Sequence, residues 1–382
     1  MNWYIILLNL SIKVFKPMEK KMSLTENMVL ESLKKLIDPN TDKNLVDTKS
    51  VKSIDIVDDK PNLKVCLGYP AKNFAETLNH MIIDRLSSDE IPCGTVEVTW
   101  KIESHSVQKS LQPMQNIKNV IAVASGKGGV GKSTTAVNLA LALAGEGSNV
   151  GILDADIYGP SQPRMLGLSG QPDSQDGKSL EPMENYGLQA MSIGFLIDEE
   201  TPMIWRGPMV TQALEQLLTD TQWRDLDYLI IDLPPGTGDV QLTLAQKIPV
   251  SGAVIVTTPQ DIALLDARKG LKMFEKVEVP VLGIVENMSL HICSKCGNEE
   301  SIFGEGGGSS LAEESKVDLL GKLPLDKSIR EQTDAGKPSV AFEPSGRIAE
   351  IYGEIARKAA GKLAAQAKDY SAKFPKIVID NN

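Results

Sequence analysis

The chain has 382 residues, 42% hydrophobic and 24% charged, which allows a soluble core of ordinary size and leads us to expect roughly two domains. Its 40 Lys and Arg stand against 50 Asp and Glu, and the net charge of −10 disfavours non-specific binding to nucleic acid or anionic lipid. Four cysteines in this length exclude a disulfide scaffold.

Residues 1–15, MNWYIILLNLSIKVF, are apolar but interrupted by Asn9, Ser11 and Lys13. The run falls short of the roughly 20 residues a membrane helix needs. It also lacks the leading positive charge and trailing small-residue site of a secretory signal. Residues 1–21 are therefore read as an extension outside the fold, with Met18 or Met22 as the natural start.

Residues 22–103 read as a small α+β domain. Thr25 to Leu36 has helical apolar spacing with Thr25 as its cap, and Asp38-Pro39-Asn40 stops it. Val51–Val57 and Leu63–Leu67 alternate as strands, Phe74–Leu86 is a second helix, and Val96–Ile102 is a final strand. Residues 104–117 are polar and are read as a linker.

From 118 to 365 one theme repeats: a short apolar strand, a Gly- or Asp-rich turn, a helix. Strands are expected at Val120–Ala124, Val150–Leu153, Tyr228–Asp232, Ala253–Thr257, Val281–Val285 and Leu319–Leu323. Near-continuous apolar strands between helices predict an α/β fold with a mostly parallel, doubly wound sheet. Sites in such sheets lie at the carboxyl ends of strands. Residues 349–367 are read as a closing helix and 366–382 as a tail.

After the first of these strands comes SGKGGVGKSTT. Gly126, Gly131, Lys132 and Ser133 satisfy G-x-x-x-x-G-K-[ST], the phosphate-binding P-loop. Glycines let backbone N–H groups curl around phosphate oxygens, and the following helix aims its positive end at them. Lys132 then reaches the β and γ phosphates of ATP, and the Ser133 hydroxyl ligates Mg²⁺. The nucleotide is expected to touch Gly126, Lys127, Gly128, Gly129, Val130, Gly131, Lys132, Ser133 and Thr134. Two other strands end in carboxylates, at Asp154 with Asp156, and at Asp232 before Pro234-Pro235-Gly236-Thr237-Gly238-Asp239. Asp232 has the Walker B arrangement, in which a carboxylate emerging beside the phosphates holds Mg²⁺.

Cys293 and Cys296 are spaced C-x-x-C and followed by a glycine, which in a reducing compartment reads as metal or redox chemistry. Zinc and iron-sulfur clusters usually take four ligands, and no second C-x-x-C exists in the chain. A symmetric dimer donating one pair per subunit is the economical solution. His291 is near enough to be weighed as a ligand, and a structural zinc and a thioredoxin-like pair are the competing readings. Cys66, within a strand, is read as a core residue, and Cys93 is left unassigned.

The KGGVGKST string, with Lys127 directly after the first glycine, resembles the deviant Walker A loop of the family containing MinD, ParA, the nitrogenase iron protein and the arsenite-pump ATPase. The resemblance implies that Lys127 reaches across a homodimer to the partner's nucleotide. It further implies that Asp156 orients the attacking water, Asp154 stands in the outer Mg²⁺ shell, residues 234–239 sense the γ-phosphate, and Asn287 reads the adenine edge.

The chain from about Lys118 to Ser339 is similar to the Mrp/ApbC family of iron-sulfur carriers. The strings that carry this are GKGGVGKST, DADIYGPSQP, WRGPM, DYLIIDLPPGTGD, TTPQDIALLD, GIVENMS, C-x-x-C-G and IFGEGGG, in family order. The likeness implies a [4Fe-4S] cluster held between two subunits by Cys293 and Cys296, slow ATP hydrolysis, and transfer to apo iron-sulfur proteins, with cluster-assembly scaffold proteins as further partners. Residues 22–103 resemble the small iron-sulfur-assembly domain often fused ahead of it, through Leu36-Ile37-Asp38-Pro39 and Leu45-Val46-Asp47. Relatives often carry Pro-x-Cys-Pro after the second strand. Here Tyr69-Pro70-Ala71-Lys72 has no cysteine, so no ligand is assigned to that domain.

The rivals are a MinD/ParA-like positioning ATPase and a zinc-stabilised nucleotide switch that binds partner proteins. The first would need an amphipathic membrane helix or a basic DNA surface. The Ala-rich terminal helix and acidic charge favour neither, so no nucleic acid and no stable membrane association are expected, and the location expected is cytoplasmic.

Overall fold

The computed structural model describes residues 24–109, 111–197, 207–293 and 295–369. The N-terminal extension, Trp205 and Arg206 of WRGPM, and the tail beyond 369 lie outside the described residues.

The fold is the α/β architecture expected, with a small α+β region ahead of one large sheet. Eight strands run in the spatial order Leu319–Lys322, Val281–Glu286, Gly252–Thr257, Ile117–Ala124, Leu226–Asp232, Val150–Asp154, Leu188–Ser192 and Met183–Asn185. The first seven pair in parallel, and only Met183–Asn185 is antiparallel to its neighbour. All six expected strands are present, extended or trimmed by a few residues. The last two strands of that order were not foreseen, because LQAMS and MEN carry no apolar run of their own and follow a long polar loop.

Both faces of the sheet are covered by helices, as a parallel sheet of Val, Ile and Leu requires. The helix after the phosphate loop, Lys132–Gly145, buries ten of its residues, and the closing helix Arg347–Ala364 packs its apolar face on it.

In the small region, Thr25 caps the helix Glu26–Leu33, its hydroxyl accepting from Met28 N. Strands Val51–Val57 and Lys60–Leu67 pair antiparallel, and Lys60–Leu67 pairs parallel with Val96–Trp100. The helix Ala75–Ser88 covers them. Its core is continuous with the core on one face of the large sheet, joining Leu33, Leu67 and Leu78 to Leu139, Tyr352 and Leu363.

Three side chains, Glu146, Arg357 and Lys362, lock this junction. Glu146, 1% exposed at the end of Lys132–Gly145, accepts from Asn73 N at 2.9 Å and pairs with Arg357 of the closing helix. The Arg357 guanidinium lies 5.3 Å from the centre of the Phe74 ring. Lys362 bonds both Asp42 and Asp318. Among the described residues of the connecting segment, Gln108 bonds the backbone of Ala245, Ile248 and Val250, and His105 is buried against Asn119.

Candidate nucleotide and cysteine sites

Strand Ile117–Ala124 delivers the phosphate loop to the carboxyl edge of the sheet, and Lys132 starts the next helix. Gly129 and Gly131 have φ of 81° and 85°, the left-handed conformation glycine adopts without strain. At Gly126 the backbone of the helix Asp261–Lys276 approaches so closely that a Cβ would sit 2.2 Å from the Asp266 carbonyl carbon. Gly128 and Gly129 are exposed on the loop, with helix Lys132–Gly145 behind them. That arrangement fits a phosphate chain, since loop N–H groups and a helix N-terminus converge on the same place.

Lys132 is 5% exposed, and its Nζ bonds the Asp232 carboxylate and, at 3.0 Å, the Ser133 hydroxyl. Asp232 is fully buried and also accepts from Gln162 Nε2 at 2.9 Å. The expected lysine therefore reaches both the hydroxyl and the Walker B carboxylate, a donor set that suits Mg²⁺ beside phosphate. Asp154, also fully buried, accepts from the N–H groups of Asp156, Ser161 and Gln162 and from the Ser192 hydroxyl, at 2.9–3.1 Å. Burial and the nearby Asp232 charge push its carboxyl up to about 7. Burial likewise raises partly exposed Asp156 above the usual carboxylate value.

Lys127 is half-buried, and its ammonium has no partner among the described residues; only its carbonyl is engaged, by the Ser125 hydroxyl. Thr134 lies in the first helical turn. The 234–239 segment touches the loop through Gly236 N, which donates to Ser125 O at 2.9 Å. Asn287 is brought to the same loop, where its amide makes two hydrogen bonds and keeps one N–H and one lone pair to spare. Its Nδ2 donates to Val130 O at 2.9 Å, and its Oδ1 accepts from Met288 N at 2.9 Å. Sequence reading put Asn287 at a strand end, and pairing with the loop follows from the closeness of the strand ends. Gln162 is the site residue that sequence reasoning missed. It sits inside the quoted DADIYGPSQP string, and nothing in its residue type marks it.

Cys293 and Cys296 occupy the turn of a small hairpin, His291–Ile292 against Glu299–Glu300. Cys293 N donates to Asn298 O, Gly297 N donates to Cys293 O, and Gly297 has φ 73°. Cys296 is exposed and Cys293 half-buried. Hydrogen bonds from the Lys295 and Cys296 backbone hold the Cys293 thiol below its ordinary value. Among the described residues no His, Cys, Asp or Glu makes a third donor to a metal group. His291 Nδ1 is engaged with Leu325 O at 3.1 Å. Cys66 and Cys93 are half-buried in the small region, and burial raises the Cys93 thiol.

The sheet, the loop and the strand-end carboxylates define a P-loop nucleoside triphosphatase. The model of the NUBPL iron-transfer P-loop NTPase family matches residues 116–360, and that of an iron-sulfur cluster assembly protein family matches residues 26–99. The chain belongs to the iron-transfer P-loop NTPase family. It is 50% identical over 347 residues to an Escherichia coli iron-sulfur cluster carrier protein, covering 89% of this chain and 93% of that one. A Pseudomonas fragi protein of the same name is 60% identical over 270 residues, 70% of this chain and 94% of the relative. The mouse iron-sulfur cluster transfer protein NUBPL is 54% identical over 254 residues, 66% of this chain and 80% of the relative. Among solved structures, an Archaeoglobus fulgidus nucleotide-binding protein in complex with ADP aligns with a TM-score of 0.53 and 40% identity, covering 62% of this chain and 93% of that one.

No described helix is long and apolar enough to cross a membrane. The apolar face of the closing helix is spent on the interior.

Proposed function

We propose that this chain is an ATP-dependent carrier. It holds a [4Fe-4S] cluster as cargo between the Cys293/Cys296 pairs of two copies and passes it to apo iron-sulfur proteins, with assembly scaffolds as donors. The observation that carries this is the cysteine turn: two free cysteines, backbone donors to the Cys293 sulfur, and no third ligand among the described residues, which is half of a four-thiolate site. The names of the relatives support the same reading. Residues 22–103 and 118–365 act as its two units, in the reducing cytoplasm.

Bound Mg²⁺ would offset charge on the phosphates, held by Ser133 and Asp232 with Asp154 behind them. Lys132 exchanges its contact with Asp232 for the β and γ phosphates. Asp156 orients water for a slow hydrolysis. Lys127, unpaired among the described residues, reaches the nucleotide of the partner copy. Exposed Tyr158, Ile262 and Leu265 follow the carboxyl ends of strands on that same edge and supply apolar area for such a closure. Asn287 reaches adenine through its spare N–H and lone pair. Nucleotide-driven shifts at 154–162 and 232–239 alter the cysteine sites, so loading with cluster must change ATP affinity in return.

The test is anaerobic reconstitution with iron and sulfide, for wild type and Cys293→Ala/Cys296→Ala, reading spectrum, metal content and oligomer size. About two iron and two sulfide per chain in a dimer, lost in the double variant, is the expected result. Retention of zinc with no cluster in the wild type would replace the carrier reading with that of a nucleotide switch.

A further inference from the structure

Gln162 begins the single helical turn Gln162–Met165 and is 1% exposed. Its Nε2 donates to Ser133 O at 3.1 Å and to Asp232 Oδ2 at 2.9 Å, while its own N–H donates to Asp154 Oδ2 at 3.0 Å. One residue thus ties together the phosphate loop and both buried carboxylates. The orientation of the amide is forced. A backbone carbonyl and a carboxylate oxygen only accept here, so the NH₂ must face them. Its oxygen is then left over: Oε1 is buried with no partner, as is the hydroxyl of Ser161 beside it. Buried amide oxygens are almost always bonded, so an orphan at this place calls for a donor that arrives with something else.

We propose that Gln162 is a positioning residue of the magnesium shell, its Oε1 accepting a hydrogen bond from metal-bound water while its Nε2 holds Ser133 and Asp232 in place. The inference rests on the reading of Ser133 and Asp232 as the magnesium-holding pair. The donor chemistry fits: waters on a magnesium ion are strong hydrogen-bond donors, and that ion usually keeps several of them. An aliphatic side chain at 162 would fill the same space and lose both functions. A glutamate would keep the accepting oxygen and lose the donor.

The experiment measures ATP affinity calorimetrically with Mg²⁺ and with chelator, for wild type, Gln162→Met and Gln162→Glu, and uses Ser133→Ala to check the underlying reading. The readout is the ratio of the two affinities, which needs no turnover. Gln162→Met is expected to cut the enhancement by Mg²⁺ about tenfold, the effect of losing an outer-shell partner, with a clearly smaller change in chelator. Gln162→Glu, which keeps the accepting oxygen but loses the donor, is expected to retain more of the enhancement than Gln162→Met. An unchanged ratio in Gln162→Met, or equal loss in the Met and Glu variants, would overturn the proposal. A fall of both affinities together would reduce Gln162 to a loop brace and also overturn it. If Ser133→Ala leaves the enhancement intact, the failure lies in the magnesium reading and not in Gln162.

Discussion

Replacing Glu146 with alanine tests the junction between the small region and the phosphate-loop helix. The Glu146 side chain is 2% exposed and that of Arg357 15%, so the pair is shielded from solvent. Removing one partner of a buried pair costs about 3–5 kcal/mol, because the other charge stays uncompensated. Arg357 is not wholly enclosed and keeps its contact with the Phe74 ring, which puts its share near the low end, about 3 kcal/mol. The Asn73 N–H loses its acceptor as well, adding about 1 kcal/mol. The expected loss for Glu146→Ala is therefore about 4 kcal/mol. Urea titration followed by tryptophan fluorescence reads it, since the Trp100 ring packs where a Cβ on Gly147 would lie 2.8 Å from it. Glu146→Ala/Arg357→Met should lose less than Glu146→Ala alone, because the stranded charge is gone. A single-variant loss under about 1 kcal/mol, or a double variant that loses the simple sum, would refute the argument.

Gly126→Ala should lower ATP affinity by at least about tenfold, since the new Cβ meets backbone that cannot rotate away; unchanged calorimetric affinity would contradict the close approach. In reduced, metal-free protein, iodoacetamide should label Cys293 well before Cys93. Backbone donors lower the Cys293 thiol, so its thiolate forms at lower pH, whereas burial raises Cys93 and delays its thiolate to higher pH. Peptide mass spectrometry across a pH series checks this, and equal rates near pH 8 would count against it.

The sequence shows this site well because its chemistry is local. A phosphate loop needs glycines and a lysine at fixed spacing, and Asp154 and Asp232 end apolar runs long enough to announce strands. What escaped detection is non-local. The strands Met183–Asn185 and Leu188–Ser192 depend on pairing with Val150–Asp154, which no run in their own residues signals. Helical periodicity marks Arg347–Ala364 as having a buried face without saying that the face meets the phosphate-loop helix. Gln162 and Asn287 are ordinary polar residues until the strand ends converge. Asn287 was expected at the adenine edge, and the convergence of the strand ends gives its amide a second task that its residue type does not announce, a hydrogen bond to Val130 O.

The helix Lys132–Gly145 has fourteen residues and spans about 21 Å. One end is the phosphate loop, and the other is gripped by Asn73, Arg357 and the backbone of Lys72. It is a stiff rod with a load at each tip. A tilt of roughly 10° about the loop would carry the far tip about 4 Å, enough to drag the small region with it. The small region is in this sense the pointer of a gauge whose spring is the phosphate loop, and a chain cut away before the linker would keep the spring and lose the dial.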